Sequence, residues 1–388
     1  MDLDRLRRDT PGCVHVLHLD SAGASLMPAP VLKAQQDHLA LEARVGGYTA
    51  AAKAQSEIQK VYRSLATFLN CQAGEIAIME NATVAWNMAF LSLNLGAGDR
   101  ILTAEAEYAS NYLSFLKLKR DRGIEVAAVP SDASGQLDVS ALKEMVDDRV
   151  KLIAMTHVPT NGGLINPAAE VGQVARDSGV PFLLDACQSV GQLDLDVEAI
   201  GCDFLSASGR KFLRGPRGSG FLYVRQSMLE HIEPPFVDLR GATWIDAETY
   251  KARTDAGCFE NWEFNYAAVL GLGVAVDYAL EVGMPAIEDQ ALTLAAQLRA
   301  MIADVPAAAV YDLGARKGAI VTFTIEGHSA ESIAETLGAQ DIIVSLSSPA
   351  STRLDAMKRD LPTMVRASPH YFNSEVELER FVEVLKGL

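Results

Sequence analysis

The sequence predicts an α/β protein with a mostly parallel sheet, followed by a smaller α+β region. Two observations lead to this expectation. Between residues 55 and 225, short apolar segments alternate with longer amphipathic ones, and strands that alternate with helices form parallel sheets covered on both faces. The chain also has 388 residues, which is more than one ordinary core accommodates.

The elements of the sheet region follow from this alternation. Strands are expected at residues 75–79, 100–103, 125–129, 151–156, 181–185, 204–206 and 221–224. Helices are expected at residues 55–69, 83–93, 107–122, 138–146 and 167–178. The expected strands are short and mostly apolar, which indicates that the sheet is buried.

The chain after residue 226 has a different pattern. Long apolar helices are expected at residues 267–282 and 287–302, followed by strands at 319–325, 342–346 and 364–367 and helices at 329–337 and 374–386. We therefore expect a large domain over residues 15–255 and a small C-terminal domain over residues 256–388. Residues 1–14 are expected to pack on the small domain.

Charge and cysteine content disfavour several classes of function. Asp and Glu outnumber Lys and Arg by 50 to 34, and a net charge of −16 disfavours nucleic acid and membrane as partners. The charged start lacks an apolar signal segment, and no apolar stretch is long enough to span a bilayer. The five cysteines are scattered without zinc-site spacing, so we expect no metal and reduced thiols in a cytoplasmic protein.

The most informative segment places one lysine between two apolar strands. Residues 203–225 read DFLSASGRKFLRGPRGSGFLYVR, with Lys211 in a turn flanked by glycine and serine. A lysine in such a turn is ordinarily a solvated surface group. Two further features favour a ligand-binding role instead.

The first feature is Asp185 at the end of the strand PFLLD, with Gln188 three residues later. Ligands of open α/β sheets lie at the carboxyl ends of strands, and a carboxylate there can pair with a protonated ring nitrogen. The second feature is Asn81-Ala82-Thr83 at a helix start, where free N–H groups and the helix dipole bind phosphate. Taken singly, Asp185 and Thr83 also read as ordinary capping residues.

Together these residues resemble aminotransferase class V, a family of fold-type I pyridoxal 5'-phosphate enzymes. The family includes cysteine desulfurases, C–S lyases and isopenicillin N epimerase-like proteins. The likeness extends from His18-Leu19-Asp20-Ser21-Ala22-Gly23 to Arg366-Ala367-Ser368, and residues 185–211 are its most specific part. This resemblance implies the fold-type I architecture, with a mostly parallel sheet of about seven strands. It also implies pyridoxal 5'-phosphate as cofactor, a small amino acid as substrate, and assembly as a homodimer.

The resemblance implies a role for each matching residue. Lys211 is the Schiff-base lysine, Asp185 partners the pyridine nitrogen, and Gln188 partners the ring oxygen. Tyr108 occupies the place of the ring-stacking residue, which is often histidine in the family. Lys211, Asp185 and Tyr108 are thus the expected catalytic residues. The other cofactor-binding positions are Ala82, Thr83, Ser208 and Arg210 at the phosphate, and Thr160 or Asn161 near the ring and substrate.

Two further matches imply how a substrate is held. Arg366 matches the arginine that receives the substrate α-carboxylate, and a guanidinium fork suits both oxygens of that group. Ala24 falls where the N-terminal segment of the family approaches the substrate. The neighbouring His370 and Tyr371 are interpreted as packing residues.

One departure from the desulfurases affects the predicted reaction. Their nucleophilic cysteine lies on a loop of the small domain, and the matching residues 346–361 contain no cysteine. We therefore predict β-elimination at a cysteine S-conjugate or sulfoxide, without a persulfide on that loop. Aminotransferase and epimerase activities stay open, because the same residues serve them. A protein that only binds ligands is disfavoured, since the lysine, aspartate, glutamine and arginine are all present.

Overall fold

The computed structural model describes residues 1–388 and contains a seven-stranded sheet at its centre. In order across the sheet, the strands are Ile76–Met79, Gly220–Val224, Phe204–Ser208, Phe182–Asp185, Val150–Thr156, Arg100–Ala104 and Glu125–Val129. Gly220–Val224 runs antiparallel to both neighbours, and all other pairs are parallel. The predicted α/β class and mostly parallel sheet are therefore confirmed.

Helices cover both faces of this sheet, so its central strands are buried along their whole length. In the first half of the chain the helices are Leu3–Arg8, Ser21–Ala24, Ala29–Val45, Gly47–Lys53, Gln55–Leu69, Ala82–Ser92, Ala109–Arg122, Val139–Met145, Ala168–Ser178 and Val197–Ile200. In the second half they are Tyr266–Val282, Met284–Ala303, Ala330–Gly338, Arg353–Arg359 and Glu375–Lys386.

A second, four-stranded antiparallel sheet lies in the C-terminal part of the chain. In order across the sheet, its strands are Ala308–Val310, Val321–Ile325, Met364–Ala367 and Ser345–Ser347. The N-terminal strand Leu17–His18 pairs in parallel with Ile342–Ile343, so the start of the chain contacts this region. The domain boundaries at residues 15 and 255 stay predictions.

Several elements differ from the expected ones. The strand expected at 342–346 is two short strands, because Ile342–Ile343 and Ser345–Ser347 pair with different partners. The helix Ala29–Val45 was not predicted, since only Val31 and His38 are buried on it and the apolar pattern is weak. A hairpin of Ala242–Trp244 and Tyr250–Ala252 was also not predicted.

No single helix is long and apolar enough to cross a membrane. The consecutive helices Tyr266–Val282 and Met284–Ala303 are long and apolar enough only when taken together, and they meet at an angle of 83°.

The turn that carries Lys211 is held from three directions. Arg214 is 1% exposed and donates to Leu26 O at 2.9 Å, Thr10 Oγ1 at 2.6 Å and Tyr371 Oη at 2.7 Å. These bonds tie the turn to the N-terminal segment and to the chain after the strand Met364–Ala367. Because Arg214 forms no ion pair, its buried charge depends on these acceptors and on nearby aromatic rings.

Gly191 and His370 fix the other side of the same turn. Gly191 has φ +90°, and a Cβ built on it would lie 2.2 Å from the backbone nitrogen of Leu213. The His370 ring is buried, and its Nε2 lies 2.7 Å from the carbonyl oxygen of Phe212. Phe212 is the residue directly after Lys211. The lysine therefore stands on a backbone that is packed on both sides.

Gly191→Ala is expected to lower the free energy of unfolding by about 3 kcal/mol, because it combines an unfavourable φ with a clash against the lysine turn. Gly179→Ala is the matched control, since Gly179 has φ +63° but open space around it. That variant should lose only about 1 kcal/mol. Urea unfolding of both variants measures the difference, and equal losses would contradict the packing account.

His370 predicts a pH dependence of stability. Burial, with a contribution from the charge of Arg214, lowers the pKa of His370 to about 3. The unfolded chain then binds a proton at His370 more tightly than the folded chain does. The free energy of unfolding therefore falls by about 1.4 kcal/mol per pH unit as the pH is lowered from ~6.5 towards about 3. His370→Gln keeps an amide donor for Phe212 O but removes the titration.

Urea unfolding at pH 7 and pH 5 tests this expectation. The loss of stability between the two pH values should be smaller in His370→Gln than in wild type. His15→Gln is the control, because His15 is exposed and its replacement should leave the loss unchanged. An identical pH dependence in all three proteins would show that His370 does not stay neutral in the fold.

Candidate functional site

Three neighbouring strands of the large sheet end at one cavity. Thr156, Asp185 and Ser208 are the last residues of their strands, and all three line the cavity. This is the edge at which open α/β sheets bind ligands. The other lining residues are Asn81, Ala82, Thr83, Tyr108, Asn111, Val158, Thr160, Cys187, Gln188, Arg210 and Lys211.

Lys211 lies three residues after the strand Phe204–Ser208 and lines the cavity. The turn begins at Gly209, whose N–H donates to Ser219 O at 2.9 Å. A Cβ on Gly209 would lie 2.5 Å from Ser219 Oγ, so the two strands approach closely here. The Lys211 ammonium group forms no hydrogen bond or ion pair within the chain, which leaves it available to a ligand.

Asp185 is buried and its carboxylate is held by two donors. Oδ1 accepts from the backbone N–H of Cys187 at 2.9 Å, and Oδ2 accepts from Asn111 Nδ2 at 2.8 Å. Burial raises the pKa of Asp185, while these two donors and the charge of Lys211 oppose the shift. The carboxylate is thus oriented by the protein but is not neutralised by a contacting cation.

Gln188 and Thr160 lie beside each other in the cavity wall. Gln188 Nε2 is 3.2 Å from both Ala22 O and Thr160 Oγ1, and its buried Oε1 has no partner. Asn161 does not line the cavity. Its Nδ2 donates to Ser348 O at 3.0 Å and Thr352 Oγ1 at 2.9 Å, which attaches the small-sheet region to the large one.

Arg366 approaches the site from the small sheet. It is 8% exposed and donates from Nη1 to Thr160 Oγ1 at 2.6 Å. Its Nη2 is 3.3 Å from Asp20 Oδ1, and Nε donates to Ser345 Oγ at 3.0 Å. The guanidinium is therefore adjacent to the cavity through Thr160. Ala24, the other predicted substrate contact, is not among the cavity-lining residues.

The start of the helix Ala82–Ser92 forms another wall. Asn81 caps it by accepting from Val84 N at 3.0 Å, and Ala82 N donates to Ser208 Oγ at 2.9 Å. Thr83 and Arg210 line the same cavity. Arg210 also donates to Gly23 O, which connects this wall to the N-terminal segment. A helix start beside a guanidinium and hydroxyl groups suits an anionic group.

Several lining residues were not predicted from the sequence. Tyr108 was predicted, but Asn111, three residues later, was not, although that spacing places both near one helix end. Thr156, Val158 and Cys187 also line the cavity, and of these Cys187 directly precedes the predicted Gln188. The signal for Thr156 was its position as the last residue of a predicted strand.

Comparison with known proteins identifies the family. The model of the aminotransferase class-V family matches residues 17–381. A probable cysteine desulfurase of Pyrococcus abyssi is 30% identical over 393 residues, covering 99% of this chain and 96% of the relative. The apo structure of a cysteine desulfurase from Thermococcus onnurineus is 27% identical with a TM-score of 0.92, covering 99% of this chain and 97% of that one. A cystine C–S lyase in complex with cysteine persulfide shares the fold, with a TM-score of 0.88, 22% identity and coverage of 97% and 99%.

The cavity lining fits pyridoxal 5'-phosphate, the cofactor of class V enzymes. It offers an amine without a partner on Lys211, a buried carboxylate on Asp185 and an unsatisfied amide oxygen on Gln188. The helix start at Ala82 and the guanidinium of Arg210 suit its phosphate. The chain therefore belongs to the aminotransferase class V family and is a pyridoxal 5'-phosphate-dependent enzyme.

Proposed function

We propose that Lys211 bonds covalently to pyridoxal 5'-phosphate and that Asp185 accepts a hydrogen bond from its ring nitrogen. The partnerless amine and the buried, oriented carboxylate in one cavity support this assignment. Gln188 contacts the ring oxygen and Tyr108 lies against the ring. The phosphate is held by Ala82, Thr83, Ser208 and Arg210. Thr160 lies near the ring and substrate, because it lines the cavity and Asn161 does not.

We further propose that Arg366 binds the α-carboxylate of a small amino acid. Its guanidinium is buried and its nearest carboxylate is Asp20, at 3.3 Å, which is longer than a charge-assisted hydrogen bond usually is. Burial lowers the pKa of Arg366, and Asp20 opposes that shift. A substrate carboxylate that reaches the fork supplies the close anionic partner that the buried guanidinium lacks.

The reaction that we infer is β-elimination at a cysteine-type substrate. The bound cofactor withdraws electrons from the substrate Cα. The substrate amine would replace Lys211 on the cofactor, which would free Lys211 Nζ to take the proton from Cα. The Cβ–S bond would then break, and sulfur would leave with the bonding electrons as a thiolate. Hydrolysis of the resulting enamine gives pyruvate and ammonia, so the atoms balance with water as the other reactant.

One observation carries the choice of elimination. No cysteine follows Cys258, which is buried, so the small-sheet region has no thiol to take sulfur from a substrate. Residues 349–359 instead form a 3-10 turn and the helix Arg353–Arg359. Lys358 of this helix pairs with Glu105 at 2.8 Å. Sulfur released from the substrate therefore leaves as a free product.

Cysteine desulfurase activity is the second candidate. It is favoured by the names of the Pyrococcus and Thermococcus relatives and by Cys187, the one cysteine that lines the cavity. In that reaction the substrate sulfur passes to the Cys187 thiolate and the organic product is alanine. Aminotransferase activity is the alternative that needs no leaving group. Assembly as a homodimer and a cytoplasmic location stay predictions.

Incubation with cysteine and S-alkyl cysteines, without a keto-acid acceptor, separates these reactions. We expect many turnovers to pyruvate and free thiol in wild type and in Cys187→Ser, and none in Lys211→Ala. Alanine together with a protein persulfide that is lost in Cys187→Ser would support the desulfurase. A single turnover that stops because no keto-acid acceptor is present would support the aminotransferase. Either of the last two results would contradict elimination.

A further inference from the structure

Glu107 is a buried carboxylate that does not line the cavity around Lys211 and that the proposed reaction does not use. It is 3% exposed and forms no ion pair. Its Oε1 accepts from Tyr108 N at 2.9 Å and Asn111 Nδ2 at 2.9 Å. Its Oε2 accepts from Thr156 N and Thr103 Oγ1, both at 3.0 Å. The hydroxyl of Thr156 is a fifth contact.

Asn111 connects this carboxylate to the cavity. Its Nδ2 donates one hydrogen to Glu107 and the other to Asp185 Oδ2, at 2.9 Å and 2.8 Å. Two buried carboxylates therefore share one amide nitrogen, and the oxygens that it joins lie within about 6 Å of each other. The amide carries no charge, so it orients both groups without neutralising either.

The charges around this pair are unbalanced. Burial raises the pKa of Glu107 and the nearby Asp185 adds to that rise, whereas the Thr156 hydroxyl, the Asn111 amide and the Tyr108 N–H oppose it. Backbone or amide N–H groups reach both oxygens, and such donors stabilise the ionised form. The titratable residues next to Asp185 and Glu107 are Lys211, whose charge acts on Asp185, and Tyr108 and Cys187, which bind the two carboxylates through their backbone N–H groups. Lys211 is the only cation among them.

We propose that Glu107 is a positioning residue for the cofactor ring, which acts through Asn111 and Asp185 to keep the ring nitrogen protonated. This inference rests on the proposed function, in which Asp185 faces that nitrogen. Two negative charges behind the nitrogen bind its proton more tightly than Asp185 alone. A ring that keeps this proton withdraws electrons from the substrate more strongly.

Glu107 also fixes the position of Tyr108, the residue that we propose lies against the ring. The backbone N–H of Tyr108 is bound to Glu107 Oε1, and the helix begins at the next residue, Ala109. Thr156, at the end of a neighbouring strand, is bound through its own N–H. Glu107 thus joins the helix that starts after Tyr108 to the strand beside Asp185.

The test uses protein loaded with pyridoxal 5'-phosphate labelled with ¹⁵N in the ring, and the ¹⁵N chemical shift reports protonation. In Glu107→Gln we expect the pH midpoint for loss of the ring proton to fall by about one unit, with kcat lowered about tenfold and KM changed little. Glu75→Gln is the matched control, because Glu75 is 6% exposed and accepts backbone N–H groups but does not line the cavity. It should titrate like wild type.

Thr103→Val is a milder variant that serves if Glu107→Gln does not fold. It removes one hydrogen-bond donor from Glu107 at nearly constant shape, which makes the Glu107 carboxylate easier to protonate. The pH midpoint for loss of the ring proton should therefore also fall, but by less than in Glu107→Gln. A midpoint in Glu107→Gln that equals wild type and Glu75→Gln would overturn the inference. Failure of wild type to bind the label through Lys211 would instead overturn the proposed function on which the inference rests.

Discussion

The carboxylate of Asp185 is the constraint on which the site depends. It ends a buried central strand, where burial alone would favour its neutral form. The fold offsets that effect with the N–H of Cys187, the amide of Asn111 and the charge of Lys211. Cys187 and Lys211 follow strands that end at this edge, and Asn111 lies in the first turn of the helix Ala109–Arg122.

The lysine opposite Asp185 depends on more distant packing. Its turn is bounded by Gly191, which leaves room for backbone, and by Arg214 and His370, which are buried beneath it. Arg214 reaches Thr10 near the start of the chain, while His370 lies close to its end. The two ends of the sequence therefore stabilise the turn in the middle that carries Lys211.

The part of the cavity next to Arg366 is formed between the two sheets. Arg366 lies on a strand of the small sheet and contacts Thr160, which lines the cavity of the large one. Asn161, the next residue, bonds to the segment around Ser348 and Thr352. Adjacent residues thus divide two tasks, since Thr160 adjoins the cavity and Asn161 joins the two regions.

Much of this arrangement could be predicted from the sequence, and the exceptions have physical reasons. Asp185 and Thr156 end predicted strands, so the alternation of strand and helix brings them to one edge. The choice between Thr160 and Asn161 required tertiary contacts that no local pattern encodes. The helix expected from residue 107 begins at Ala109, because the Glu107 side chain binds the N–H of Tyr108.

The proposal that Lys211 carries the cofactor can be tested by chemical labelling. The purified protein, loaded with pyridoxal 5'-phosphate, is reduced with borohydride, digested and examined by mass spectrometry. We expect a pyridoxyl group on the peptide that contains Lys211, and no such label in Lys211→Ala. A label on a different lysine, or full retention of label in Lys211→Ala, would contradict it.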